Sequence, residues 1–307
     1  MNNEVVSIDL GSNSFRVLKY DCLNNKIISD YHEVVGMADG LIDTGLISSE
    51  AQQRVIKALK QSIKEINYDP SIAVAVTTAA MRKASNNKEV LKNFEENTGV
   101  KFTIIDGIEE ARLTLLAIKY ALKREKIDSS KFILLDIGGG STEIIVNTKE
   151  KYESHSFDFG IVTMTQKFFK HNDLQKDLNS RKLEIKKYLD SLDLNLNDYT
   201  FVATAGTPTT IAAVKLGQDF FSYDKEVVNG TIVNLDDLKD CLSIFDNSNK
   251  NEITKLVGKG RVEFIQVGIY IYQAIFEVLK KNESIVLDDG LREGVAINHC
   301  LETKCEG

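Results

Sequence analysis

Two segments of the chain share one pattern of apolar and polar positions. Val5–Leu10 is an apolar run broken by Ser7 and Asp9, Gly11-Ser12-Asn13-Ser14 is polar, and Phe15–Leu18 is apolar again around Arg16. Leu134–Ile137, Gly138-Gly139-Gly140-Ser141 and Ile144–Val146 repeat the pattern. Short apolar runs flanking a Gly/Ser cluster predict two strands joined by a tight turn. An ordinary hairpin accounts for either copy alone; the recurrence of Asp, then Gly two residues on, then Ser three further, marks an internal repeat. The pattern predicts strands at 4–10, 14–20 and 26–34, a glycine-punctuated loop over 37–46, and a helix capped by Ser48 or Ser49 that runs to Asn67. Asp69-Pro70 ends that helix. A strand follows at 72–76, then a helix at 87–97, a strand at 102–105, and a long helix to Lys126 with Glu109 and Glu110 in its first turn. The second half repeats the plan with strands at 131–136, 142–147 and 151–157. Phe159–Met164 opens a helix, and the charged run 167–187 reads as a solvated helical face. A strand at 201–204 enters a Gly/Thr turn, a core helix spans 262–279, and a last strand at 285–287 precedes a C-terminal helix.

The repeat predicts two similar α/β domains, each presenting its turn to a shared cleft, with boundaries at 1–125 and 126–291 and the helix 292–307 packing on the first. The length of 307 residues accommodates two such cores. A hydrophobic share of 43% and a charged share of 27% are those of a soluble globular protein. There is no apolar run of about twenty residues for a membrane helix and no signal-like N-terminus, so the expectation is a cytoplasmic protein. A formal net charge of −7 argues against a general nucleic-acid binder but not against a polyanionic substrate. Cys22, Cys241, Cys300 and Cys305 show no metal-ligand spacing and are expected as reduced thiols, without a zinc site or a disulfide.

The turns carry the chemistry. Three successive glycines at 138–140 bring backbone N–H groups against an anion. Asp136 and Glu143 at either end of that turn are placed to hold the divalent cation that accompanies phosphate. Arg82 falls just beyond a strand end, where α/β folds put ligands. The turn Ala205-Gly206-Thr207 offers N–H groups and hydroxyls at a helix N-terminus. Either Glu109 or Glu110 could face the cleft as a general base, although both also suit a helix N-terminus electrostatically.

At these positions the sequence resembles the Ppx/GppA family of exopolyphosphatases and guanosine pentaphosphate phosphohydrolases. The stretches that carry the resemblance are IDLGSNSFRV at 8–17, GLIDTGLIS at 40–48, TTAAMRKASN at 77–86, IIDGIEEARL at 104–113, LLDIGGGSTEI at 134–144, FGIVTMT at 159–165, ATAGTPTT at 203–210 and DDGLREGV at 288–295. The resemblance implies two ribonuclease H-like domains of the actin, Hsp70 and sugar kinase superfamily, in the short form without the helical domain of longer members. It implies Glu110 as the catalytic base, and Asp9, Asp136 and Glu143 around Mg²⁺ or Mn²⁺. Ser12, Asn13, Gly138, Gly139, Gly140, Ser141 and Thr142 then serve as donors to the terminal phosphate, with Arg82 and Arg16 on the following phosphates and Gly206 and Thr207 as a further phosphate contact. Pro208 and Glu263 depart from the family pattern outside this set. The expected substrate is inorganic polyphosphate or guanosine pentaphosphate, and the expected assembly is a homodimer. Two other readings share the turns: a nucleotide-dependent kinase or ATPase of the same superfamily, and a regulator that binds polyphosphate or guanosine penta/tetraphosphate without turnover.

Overall fold

The structure is a computed structural model that describes residues 3–171 and 173–305. The chain forms two compact units, Met1–Ile118 with Asp289–Gly307, and Lys119–Asp288.

In the first unit β1 (Glu4–Leu10), β2 (Ser14–Asp21) and β3 (Lys26–Val34) form an antiparallel meander. The short α1 (Leu41–Thr44) and the long α2 (Ser49–Ile66) follow. The Ser48 side chain accepts from the N–H of Ala51 and caps α2, the role its position predicts. β4 (Val74–Thr77) lies parallel to β1. It starts two residues later than the apolar run suggests, because the Asp69 carboxylate accepts from the N–H of Ser71 and Pro70–Ile72 winds into a 3₁₀ turn. α3 (Ala79–Lys83), α4 (Asn87–Thr98), β5 (Phe102–Ile104) and α5 (Gly107–Arg124) complete the order. The sheet order β3-β2-β1-β4-β5, with β4 and β5 parallel to β1, is that of a ribonuclease H-like domain.

The second unit repeats it. β6 (Phe132–Ile137), β7 (Thr142–Asn147) and β8 (Tyr152–Phe157) form the meander. α6 (Ile161–His171) and α7 (Leu174–Ser191) lead to β9 (Thr200–Thr204), parallel to β6. The charged run expected as one solvated helical face is divided between α6 and α7, and its residue 172 lies outside the described residues. α8 (Gly206–Lys215) opens on the Gly/Thr turn. The stretch 216–257, for which the pattern predicts no element, adds α9 (Lys225–Val228), β10 (Thr231–Asn234), α10 (Leu235–Asn247) and α11 (Lys250–Val257). α12 (Ile265–Leu279) is apolar on nearly every face and is correspondingly buried, with Tyr272 and Phe276 against Phe201 of β9. β11 (Glu283–Val286) runs parallel to β9 and antiparallel to β10, giving the order β10-β11-β9-β6-β7-β8. Apart from β10 the order matches that of the first unit, so each unit is a ribonuclease H-like domain of the actin/Hsp70 type.

α13 (Leu291–Cys305) returns the chain to the first sheet, where the Ser7 hydroxyl of β1 donates to the Arg292 carbonyl at 2.8 Å. The same helix corrects the expectation of reduced cysteines. Cys300 is joined to Cys22, which follows β2, in a disulfide across 278 residues of sequence. No spacing rule reaches that far; the pairing follows from α13 packing across β1 and β2. Cys241 is a free, buried thiol, and the side chain of Cys305 lies outside those described. Among the described residues, no helix is long and apolar enough to cross a membrane.

Candidate active site

The two repeated turns close in the same way. The Gly11 N–H donates to the Ser14 carbonyl at 2.9 Å, and the Gly138 N–H to the Ser141 carbonyl at 3.0 Å. A second layer of N–H groups buttresses each turn from behind. Val35 and Gly36 donate to the Asn13 carbonyl and Ala38 to that of Ser12, while Ile161 donates to Gly138 and Val162 and Thr163 to Gly139. In the second unit this approach depends on Gly160, since a β-carbon there would sit 2.5 Å from the Gly138 carbonyl oxygen. With their carbonyls bonded behind them, the turns leave the Ser12 and Asn13 side chains, and that of Ser141, without a hydrogen-bond partner among the described residues. Those groups are available to an anion. Thr142 is not, because its hydroxyl donates to the Phe159 carbonyl at 2.8 Å.

Register places the carboxylates. Asp136 on β6 stands directly opposite Glu143 on β7, so both side chains leave the same face of the sheet. Like charges in that relation repel. Glu143 is nonetheless buried, with one carboxylate oxygen accepting from the Ser156 hydroxyl at 2.7 Å. A divalent cation suits two carboxylates so placed, and two protein carboxylates match the sparse ligation of Mg²⁺, which keeps several waters. Among the described residues no group of three or more His, Cys, Asp or Glu is placed to hold a metal ion. In the first unit Asp9 occupies the equivalent position on β1, but its cross-strand partner is Arg16. The Arg16 side chain has no hydrogen-bond partner among the described residues.

α5 separates the two glutamates that the sequence leaves side by side. The Asp106 carboxylate accepts from the N–H of Glu109 at 2.8 Å and fixes the start of the helix. Glu109 then takes two hydrogen bonds from Arg112, at 2.7 and 2.8 Å, on a half-exposed face. Glu110 is buried, and its carboxylate accepts from Arg82 Nη1 at 2.8 Å. Arg82, expected as a phosphate ligand, thus also holds the candidate base. Both lie in the first unit, Arg82 in the short helix after β4.

At the third turn the hydroxyls face inward. Thr209 and Thr210 donate to the carbonyls of Ala205 and Gly206. The Thr207 hydroxyl is buried without a partner, against Gly268 of α12. Only the N–H groups of Gly206 and Thr207, at the start of α8, keep the role expected of this turn. The structure adds a residue that the sequence pattern passes over: the Arg261 guanidinium carbon lies 4.0 Å from where a Gly206 β-carbon would be. Arg261 ends Gly258-Lys259-Gly260-Arg261, a stretch without the Ser or Thr of a P-loop, so a P-loop pattern does not detect it.

Known proteins resemble nearly the whole chain, which spans about half the length of the first curated relatives it matches. It is 28% identical over 305 residues to a guanosine-5'-triphosphate,3'-diphosphate pyrophosphatase of Aliivibrio fischeri, covering 96% of this chain and 59% of that protein. It is 26% identical over 318 residues to exopolyphosphatase 2 of Mycobacterium tuberculosis, covering 96% and 98% of the two chains. The crystal structure of the Aquifex aeolicus Ppx/GppA family member superposes with a TM-score of 0.73 at 28% identity, over 98% of each chain. Residues 17–303 match the Ppx/GppA phosphatase family, and the chain belongs to it.

Proposed function

We propose that this protein hydrolyses the terminal phosphoanhydride of inorganic polyphosphate, of guanosine pentaphosphate, or of both, and releases orthophosphate. The names of the relatives support the reaction class. The observation that carries the proposal within this chain is Glu110, a buried carboxylate at the start of a helix and fixed by Arg82. In-line attack on a phosphoryl group needs a water oriented by such a group, and positive charge on the transferring oxygens.

Ser12, Asn13 and Ser141, with the backbone of Gly138–Gly140, are the proposed donors to the terminal phosphate, and Arg16 and Arg82 neutralise the phosphates that follow. Arg82 pairs with Glu110 and can present its remaining N–H groups to an oxygen, since a guanidinium serves two acceptors at once. Asp136 and Glu143 would hold Mg²⁺, which supplies charge neutralisation when bound.

Phosphate release from long polyphosphate and from guanosine pentaphosphate, measured with Mg²⁺ and with chelator, tests the proposal. Release should require the cation. Glu110→Gln should lower it by about 10²–10⁴ while the protein stays folded. Tight binding of either compound without release would overturn the hydrolase reading in favour of a sensor.

A further inference from the structure

Each repeated turn is buttressed by a layer of N–H groups, on the Ser12 and Asn13 carbonyls in one and on those of Gly138 and Gly139 in the other, but the two layers have different supports. In the second unit the donors Ile161, Val162 and Thr163 form the first turn of α6, and the helix holds their peptide planes. In the first unit the donors Val35, Gly36 and Ala38 lie in a loop with no helix of its own. An arginine from a distant helix supplies the missing support. Arg54 of α2 donates from Nε to the Val35 carbonyl at 2.6 Å and from Nη2 to the Gly36 carbonyl at 2.8 Å. Its Nη2 also reaches the Asp39 carboxylate at 2.7 Å.

We propose that Arg54 is a positioning residue for the first phosphate turn. It acts through the Val35–Gly36 peptide plane on the carbonyl of Asn13. The inference rests on the reading of Gly11–Ser14 as a phosphate cradle.

The mechanics follow from the planar peptide. The Val35 carbonyl and the Gly36 N–H belong to one rigid unit and point in opposite directions. When Arg54 fixes the oxygen on one side, the N–H on the other is aimed at Asn13, which it meets at 3.0 Å. A charged donor on the oxygen also polarises the peptide and strengthens the bond its N–H makes. Gly36 is part of the same device. Its φ of +55° is costly for other residues, and a β-carbon there would lie 2.5 Å from the Asp39 carboxylate. Absence of a side chain lets Asp39 close over the loop and meet Arg54.

An exposed Arg–Asp pair by itself contributes little to stability. Arg54 and Asp39 are both more than a third exposed, so the ion pair alone would predict almost no effect of replacing Arg54. Contacts to two main-chain carbonyls predict a different outcome. Hydrogen exchange followed by mass spectrometry, with steady-state kinetics on the better of the two substrates, distinguishes them in wild type, Arg54→Ala and Arg54→Lys.

Arg54→Ala should exchange faster at the amides of residues 35–38 and lose about ten- to a hundredfold in kcat/KM, the scale of a misplaced binding group. Arg54→Lys retains the charge and the fold, but one ammonium cannot replace the fork, so it should recover the melting temperature more fully than kcat/KM. Unchanged exchange at 35–38 in Arg54→Ala would overturn the proposal. So would faster exchange with unaltered kcat/KM. If the wild type releases phosphate from neither substrate, the hydrolase reading fails instead. Exchange at Gly11–Ser14 then decides the inference, with acceleration in Arg54→Ala supporting it and wild-type rates overturning it.

Discussion

Arg82 and Glu110 are joined at 2.8 Å, and the same Arg82 Nη1 donates to the Ile105 carbonyl at 2.8 Å. The guanidinium is therefore held from two sides, by the backbone that ends β5 and by the carboxylate that opens α5. An arginine fixed in this way keeps the candidate base fixed as well, and a change at either residue should appear at the other.

Arg82→Ala should therefore cost more than a lost phosphate contact. It removes the guanidinium that holds Glu110, so kcat should fall together with a rise in KM, by a combined factor of at least 10² in kcat/KM. Arg82→Lys keeps the charge but cannot bond Ile105, Glu110 and a phosphate in the same geometry, and should recover only part of the loss. In a double-mutant cycle, Arg82→Ala combined with Glu110→Gln should be far from additive. Additive losses would mean that the two residues act independently.

The opposition of Asp136 and Glu143 across β6 and β7 makes a prediction about the cation. Asp136→Asn should raise the Mg²⁺ concentration for half-maximal activity by tenfold or more. Ser156→Ala removes only the hydroxyl that orients Glu143, and should shift the same midpoint by a smaller factor than Asp136→Asn does. A magnesium titration of both variants reads this directly. An unchanged midpoint in Asp136→Asn would remove Asp136 from the cation site.

Much of the fold and part of the site can be read in the sequence, and the division has a physical basis. Strands β1, β2, β6 and β7 announce themselves because a buried strand needs an apolar run and the turns between them need glycine and serine. The two turns also share a hydrogen bond at equivalent positions, which is why the repeat is visible in the residues themselves. The stretch 216–257 is less legible. β10 buries only Val233, so it lacks an apolar run, although the capping boxes of Asn234 with Asp237 and Asn249 with Glu252 do mark the helices.

Tertiary relations are the part that sequence patterning cannot supply. GLIDTGLIS at 40–48 reads as a loop motif, yet its Gly45 carbonyl accepts from both the N–H and the hydroxyl of Ser85, and Ile47 exchanges two hydrogen bonds with Asn86. The motif is a brace for the segment that follows Arg82. The hydroxyls of Thr142 and Thr207 look like phosphate donors in a one-dimensional pattern, and the packing of Phe159 and Gly268 turns them inward.

The Cys22–Cys300 disulfide closes nearly the whole chain and ties α13 to the end of β2. Reduction should lower the unfolding free energy of the first unit by about 2–5 kcal/mol, since the constraint it removes acts mainly on the unfolded chain. Cys300→Ser should show the reduced protein's melting temperature and no longer respond to reductant. A free-thiol titration under denaturing, non-reducing conditions should find Cys241 reactive and Cys22 and Cys300 unreactive. Four reactive thiols, with no effect of reductant on melting, would show that the bond does not form in the purified protein.

Alkaline stability follows from three acids, Cys241 buried and Tyr68 and Tyr188 partly buried. Burial pushes the Cys241 thiol from 9.0 up to about 12. It pushes the phenol of Tyr68 from 10.0 to about 12, against the opposing hydrogen bond with Ser62, and that of Tyr188 to about 12 with a further push from Glu153. In each case the folded value lies above the unfolded one, so the unfolded chain gives up the proton first. The folded state is then favoured fully below about pH 9, and that contribution is lost as pH rises from 9 to 12. Urea midpoints should fall steadily across this window under non-reducing conditions. Tyr188 offers the sharper test, because its hydroxyl is buried without a hydrogen-bond partner. Tyr188→Phe removes an acid that resists ionisation and a polar atom that gains nothing from burial. It should match or exceed wild-type stability at pH 8 and lose less of it by pH 11.5. A midpoint that falls as steeply as in wild type would mean that Tyr188 ionises as readily in the folded protein as in the unfolded chain.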